Sequence, residues 1–348
     1  MDSTAPASSN IAFDHIQTAH CENGVTTGLL RHHGVEIMTE PLAFGLGSGL
    51  FYIHVPYITV LNGPFISFRT FPGAIFKRTC KSLGVKVKRV KFGNNRERAQ
   101  QFLDEQVEAG TLVGSQVGVF HLPYFPPEYR FHFNAHNIII YGKDDEGNYL
   151  ISDPVMESTN TLTAEELERV RFAQGPLAPK GQLYYPIEVN EITPELIKRG
   201  IKKGIKRNVR DMLYIPGYFA GFKGIKYTAG QVRKWRTKLG QKKAGLYLGQ
   251  IVRMQEEIGT GGGGFRFLYA AFLEEAAAYF DGHETLMSAS EKLTQAGDLW
   301  RDSAIQMAGI YKGRLTAQSD YDHCASILEQ ISEIEKSAFR QLSKIKLS

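Results

Sequence analysis

The chain has 348 residues, of which 43% are hydrophobic and 22% charged, with a formal net charge of +5. That length suits two ordinary domains or one large one, and the composition is typical of a soluble globular protein. No apolar run approaches the ~20 residues that a membrane-spanning helix needs. The three cysteines, Cys21, Cys80 and Cys324, are odd in number and far apart, which argues against a disulfide framework.

The opening MDSTAPASSN is small and polar, without the basic start or apolar core of a secretory signal. Residues 1–11 read as a flexible N-terminus, and a cytoplasmic chain with free thiols is expected. A helix is predicted from Cys21 to His33, stopped by Gly34. Residues 44–55, FGLGSGLFYIHV, read as a glycine-rich turn feeding a β-type run. Its glycines at 45, 47 and 49 do not make the dinucleotide fingerprint, because the third is misplaced and no helix clearly follows. They signal positive φ or close packing, or else the wall of a channel.

Residues 96–110 read as a helix ended by Gly110, and 115–122 as a strand. Residues 136–142, 144–148 and 149–154 read as strand, turn and strand, and 182–189 as a last strand. Near residue 190 the strand signals fade and helical periodicity takes over. Strong helical stretches follow at 267–280, 284–311 and 319–346, with GTGGGG at 259–264 as a flexible loop. The expected fold is therefore α+β over 12–190, then a helical domain over 191–348.

Basic residues cluster at 77–92 and 197–210. Ile197, Ile201, Ile205 and Val209 fall four apart on one face of a basic amphipathic helix spanning 193–211. Such a helix could dock an acidic carrier protein, lie on a membrane surface, or pack on its own protein. Nucleic acid is the runner-up partner, but no recognised motif is present and aromatic residues are not interleaved there.

Cys21 is the first candidate for chemistry. It shares a helix face with Val25, Gly28, Leu29 and His32, and it stands where unpaired backbone N–H groups stabilise a thiolate. Structural cysteines start helices too, so the stretch by itself leaves packing, metal binding and nucleophilic catalysis open. A nucleophile needs a base, and the base needs an orienting group. His136 opens one strand of the predicted hairpin and Asp153 ends the other, so antiparallel pairing makes them neighbours. The plain alternative is a strand-end histidine and a turn aspartate before Pro154. A metal site from His121, His132 and His136 is conceivable, but HFNAH leads into a strand, where a spacing of four does not mean one face.

The early helix-start cysteine, followed by H-x-I-I-I-x-G and I-S-D-P, resembles the papain-like cysteine fold and the double-glycine bacteriocin-processing peptidases that share it. Residues 20–55 and 120–154 resemble, more specifically, the N-terminal domain of the butirosin biosynthesis protein H family. GGGGFRFLYAAFLEEAAAYF and DLWRDSAIQMAGIY are similar to the helical domain of unknown function that often follows it. The resemblance implies an acyltransferase that takes an acyl or aminoacyl group from the phosphopantetheine arm of an acyl carrier protein. The group would pass through a cysteine acyl-enzyme to a small-molecule amine or hydroxyl. No other cofactor and no metal is implied.

Cys21 matches the nucleophile of that family, His136 the base and Asp153 the orienting acid. Side-chain candidates for the oxyanion or substrate are Gln17, His20, His132 and Tyr124. Gln17 stands closer to the cysteine than the usual glutamine of papain-like enzymes. Three alternatives remain at this level: a cysteine peptidase or amidohydrolase using the same triad, self-cleavage between His20 and Cys21, and a non-catalytic binding protein. The oligomeric state is open, a homodimer included.

Overall fold

A computed structural model describes residues 12–60 and 63–347. The segment 1–11, expected to be flexible, lies outside the described residues. In chain order the elements are α1 (Cys21–His32), α2 (Glu40–Leu46), β1 (Leu50–Val60), β2 (Gly63–Arg69), α3 (Ala74–Ser82), β3 (Lys86–Val90), α4 (Arg96–Glu108), β4 (Val113–Val117), β5 (His136–Lys143), β6 (Tyr149–Ser152), β7 (Asn160–Leu162), α5 (Ala164–Arg171) and β8 (Leu183–Glu188). Then come α6 (Pro194–Val209), α7 (Gly221–Val252), α8 (Arg266–Ala278), α9 (Glu284–Tyr311) and α10 (Gln318–Ser343). The fold is α+β, with a sheet-containing N-terminal part and a helical C-terminal part.

The chain forms two compact units. The first comprises the described residues up to Glu40 together with Gly84–Glu191; the second comprises Pro41–Leu83 and the residues from Ile192 onward. The first unit is built on a six-stranded antiparallel sheet in the order β3-β8-β4-β5-β6-β7. Side chains alternate across its central strand, β5. Ile138 and Ile140 face a core shared with Leu103 and Val107 of α4 and Leu167 and Val170 of α5. The opposite face carries α1, where Gly28 lets the helix approach until an added Cβ would lie 2.8 Å from Ile139 Cδ1. Burying a large aliphatic side chain in such a core stabilises by ~1.5–3 kcal/mol, so the sandwich of helices and sheet fixes where α1 begins.

The second unit packs α7, α8, α9 and α10 around buried aromatic residues. Residues 41–83 belong to this unit, although the sequence reading places them within 12–190. Their aromatic side chains are the reason: Tyr52 stacks on Trp300 at 5.7 Å, Phe68 meets Trp300 edge-on at 5.1 Å, and Phe44 stacks on Phe265 at 5.3 Å. Residues 44–46, read as a turn, end α2. The glycines there serve close packing, since a Cβ on Gly45 would sit 2.0 Å from the Phe272 ring, and the positive φ of 50° falls on Ser48 instead. The stripe Ile197, Ile201, Ile205 and Val209 is buried, packed within its own unit against α3 and α10. Among the described residues no helix is long and apolar enough to cross a membrane.

Candidate active site

Helix α1 starts at Cys21 because His20 caps it. His20 is extended (φ −130°, ψ 127°), and its Nδ1 accepts the Asn23 N–H at 3.4 Å. The chain just before the cap is pinned at two points. Thr18 N–H donates to the Pro154 carbonyl at 2.7 Å, while the N–H groups of Ala19 and His20 donate to the Glu40 carboxylate at 2.9 and 2.8 Å. Burial raises the Glu40 pKa, partly offset by those donors. His15 ties the preceding loop to the same corner through Ser152 Oγ at 2.8 Å and the Met156 carbonyl at 3.0 Å. The N-terminus of α1 is thus held against the end of β6, beside Asp153.

The structure brings Cys21, His136 and Asp153 together. His136 is the first residue of β5, paired with Val117 of β4, and Asp153 follows directly on β6. His136 Nε2 lies 2.7 Å from Asp153 Oδ2. Asp153 is fully buried, and it also accepts from the Tyr124 hydroxyl at 3.0 Å and the Val155 N–H at 3.2 Å. With Nε2–H committed to the carboxylate, Nδ1 is the nitrogen left for the Cys21 thiol, within hydrogen-bond reach of His136. Cys21 and His136 are 6% and 5% exposed.

Electrostatics favour a protonated His136. Burial works against its charge, but the Asp153 carboxylate and Cys21 outweigh it and push the pKa up to about 10. Burial and Asp153 hold the Tyr124 pKa well above its ordinary value, so that hydroxyl stays a donor to the carboxylate. Cys324 offers a contrast: buried in the helical unit, its thiol is pushed up to about 12 by burial alone. Cys80 is fully buried as well.

The other sequence candidates divide. Tyr124 reaches Asp153, and His20 is the helix cap. Gln17 is exposed on the loop before α1, and His132 lies flat on the Phe120 ring with centroids 4.0 Å apart. Among the described residues, neither joins the hydrogen bonds around Cys21. A cavity of about 440 Å³ is lined by Phe120, His121, Pro123, Pro127, Arg130, Glu166 and Arg169. It borders the loop that carries Tyr124 but is not lined by Cys21. No group of three or more His, Cys, Asp or Glu side chains is placed to hold a metal among the described residues.

Sequence reasoning missed Asn137, whose Nδ2 lies 3.7 Å from Cys21 Sγ. It follows His136 in a strand, where alternation assigns the two side chains to opposite faces. His136 nevertheless meets the thiol as well, at the sheet's end where the ladder begins.

Residues 20–154 match the family described as butirosin biosynthesis protein H, N-terminal. Residues 165–342, just over half the chain, match a domain of unknown function, DUF4872. No curated protein matches the sequence. With these two matches following one another along nearly the whole described chain, the protein belongs to the butirosin biosynthesis protein H-like family.

Proposed function

We propose that the protein is a biosynthetic acyltransferase that moves an acyl or aminoacyl group from an acyl carrier protein thioester, through a Cys21 acyl-enzyme, to an amine or hydroxyl of a small molecule. The observation that carries this reading is the buried Cys21–His136–Asp153 constellation at a helix N-terminus, in a chain of this family.

The steps follow from the residues. Cys21 Sγ attacks the thioester carbonyl, and the backbone N–H of Cys21, one of the first-turn N–H groups without an intrahelical acceptor, is the natural donor to the oxyanion. The carbon–sulfur bond to the phosphopantetheine arm breaks, and the leaving thiolate takes a proton from His136. The acceptor amine or hydroxyl then attacks the acyl-enzyme, giving its proton to His136 as Sγ departs. Asp153 keeps the imidazole oriented throughout, and Tyr124 keeps Asp153 oriented. Exchange of one thioester for another costs little free energy, which suits a cysteine nucleophile to a carrier-bound donor. The slight exposure of Cys21 suits a donor on a slender arm and limits access of water to the acyl-enzyme.

The test is mass spectrometry of the intact protein after incubation with acyl-loaded carrier protein. One acyl group on the Cys21 peptide, discharged by an added amine to give the amide, is the expected result. Free acid as the sole product would make the protein a hydrolase. A Cys21→Ala variant that still transferred the group would overturn the proposal.

A further inference from the structure

Asn137 is 4% exposed, on the sheet face covered by α1. Its Oδ1 accepts the Tyr184 hydroxyl at 2.8 Å, and its Nδ2 donates to the Ala135 carbonyl at 3.1 Å and to Cys21 Sγ at 3.7 Å. These bonds fix which way the amide points. The Ala135 carbonyl can only accept, so Nδ2 must face it, and Oδ1 then faces Tyr184. The second Nδ2–H is left aimed at the sulfur.

The reach of Tyr184 is also built in. It lies on β8, and β4 separates it from Asn137 on β5. The intervening residue of β4 is Gly114, paired with both Tyr184 and Ile139. A Cβ on Gly114 would stand 2.4 Å from Tyr184 Cε2, so only glycine lets the ring lie across the strand.

We propose that Asn137 is a further catalytic residue, donating its Nδ2–H to the Cys21 sulfur and stabilising the thiolate form, and that Tyr184 is the positioning residue that orients the Asn137 amide. This rests on the reading of Cys21 as the nucleophile. A sulfur carrying negative charge accepts this bond strongly and a thioester sulfur weakly. The bond therefore favours the attacking thiolate at the start and its departure at the end.

The test compares wild type, N137A and Y184F by the rate of Cys21 alkylation with iodoacetamide across pH, read on the Cys21 peptide by mass. Circular dichroism and thermal melts establish that each variant is folded. The pH of half-maximal alkylation should rise by about one unit in N137A, the order expected for losing one hydrogen bond to a charged group. Y184F should shift it in the same direction by less, and it removes only a hydroxyl, so it keeps the test valid should N137A fail to fold. A purely structural role would lower the melting temperature and leave the profile where it was. A wild-type profile that folded Y184F and N137A both leave unshifted overturns this proposal alone. If wild-type Cys21 reacts no faster at neutral pH than a free cysteine, the nucleophile reading falls and this proposal with it.

Discussion

Gly24 of α1 and Pro154 are in direct backbone-to-ring packing: a Cβ on Gly24 would lie 2.4 Å from Pro154 Cβ and 2.2 Å from Thr18 Oγ1. The first turn of the helix that starts with Cys21 therefore rests on the residue after Asp153. A Gly24→Ala substitution must push α1 away from the end of β6, separating the thiol from His136. Helix propensity alone would favour alanine by ~1 kcal/mol. The overpacking should outweigh it, with a net loss of ~1–3 kcal/mol. Chemical denaturation should show that loss, and acylation of Cys21 should slow by more than the change in folded fraction explains.

Asp153 accepts from His136 while also accepting from Tyr124 and the Val155 N–H. An Asp153→Asn variant keeps the shape but presents either an amide NH₂ or a neutral oxygen to Nε2. With NH₂ toward the ring, the imidazole must carry its proton on Nδ1, where it can no longer accept one from the acceptor. A fall in transfer rate of roughly 10⁴-fold is expected by analogy with the same change in serine enzymes, measured by single-turnover assay with acyl-carrier donor. Tyr124→Phe removes only one bond to the carboxylate and should cost far less.

Stability should also respond to pH through His136. Its folded pKa is raised to about 10, against an ordinary value of 6.5. Protonation thus favours the folded state. The contribution is whole below about pH 6.5, shrinks as pH rises, and is gone above about pH 10. Urea denaturation of wild type and His136→Gln at pH 6.5 and pH 9.5 separates His136, together with the Cys21 thiol coupled to it, from the other groups that titrate in the range. The stability gap between the two proteins should narrow at the higher pH. A gap that stayed constant would mean that His136 is neutral in the folded protein.

Much of this site is legible in the sequence because it is local. The expected start at Cys21 and stop at Gly34 bound α1, and a short turn brings His136 to Asp153, whereas the capping role of His20 shows only in the fold. Asn137 was hidden because its bond to Cys21 depends on how α1 lies on the sheet, and its orientation depends on a tyrosine two strands away. The β3 strand was masked by its lysines, which suit the exposed edge of a sheet. Helix α7 was masked by its glycines. At Gly240 the backbone leaves helical geometry (φ 74°, ψ 159°), so two helical segments meet there. Gly224 and Gly249 are spaces for neighbours: an added Cβ would lie 2.5 Å from the Phe219 carbonyl oxygen and 3.0 Å from the Tyr311 ring. Periodicity reports none of these tertiary demands, and it likewise gave no sign that residues 41–83 pack with the helical unit.

The helical unit has its own buried charge pair. Arg266 and Glu335 are both fully buried, joined by two hydrogen bonds of 2.8 and 3.0 Å. The remaining groups are largely satisfied within the unit: Trp300 Nε1–H donates to Glu335 at 2.9 Å, and Arg266 donates to the Gly264 carbonyl at 2.7 Å. The guanidinium also lies over the Trp300 and Phe68 rings, 5.3 and 5.7 Å from their centroids. Removing one partner leaves a charge stranded in apolar surroundings, so Glu335→Leu should destabilise by ~3–5 kcal/mol. Replacing both, as Arg266→Met with Glu335→Leu, removes the stranded charge and should recover much of that loss, leaving the unpaired Trp300 N–H as a residual cost. Denaturation of the single and double variants checks this. Equal losses in the two would mean that packing around Arg266, and not the charge, holds these helices together.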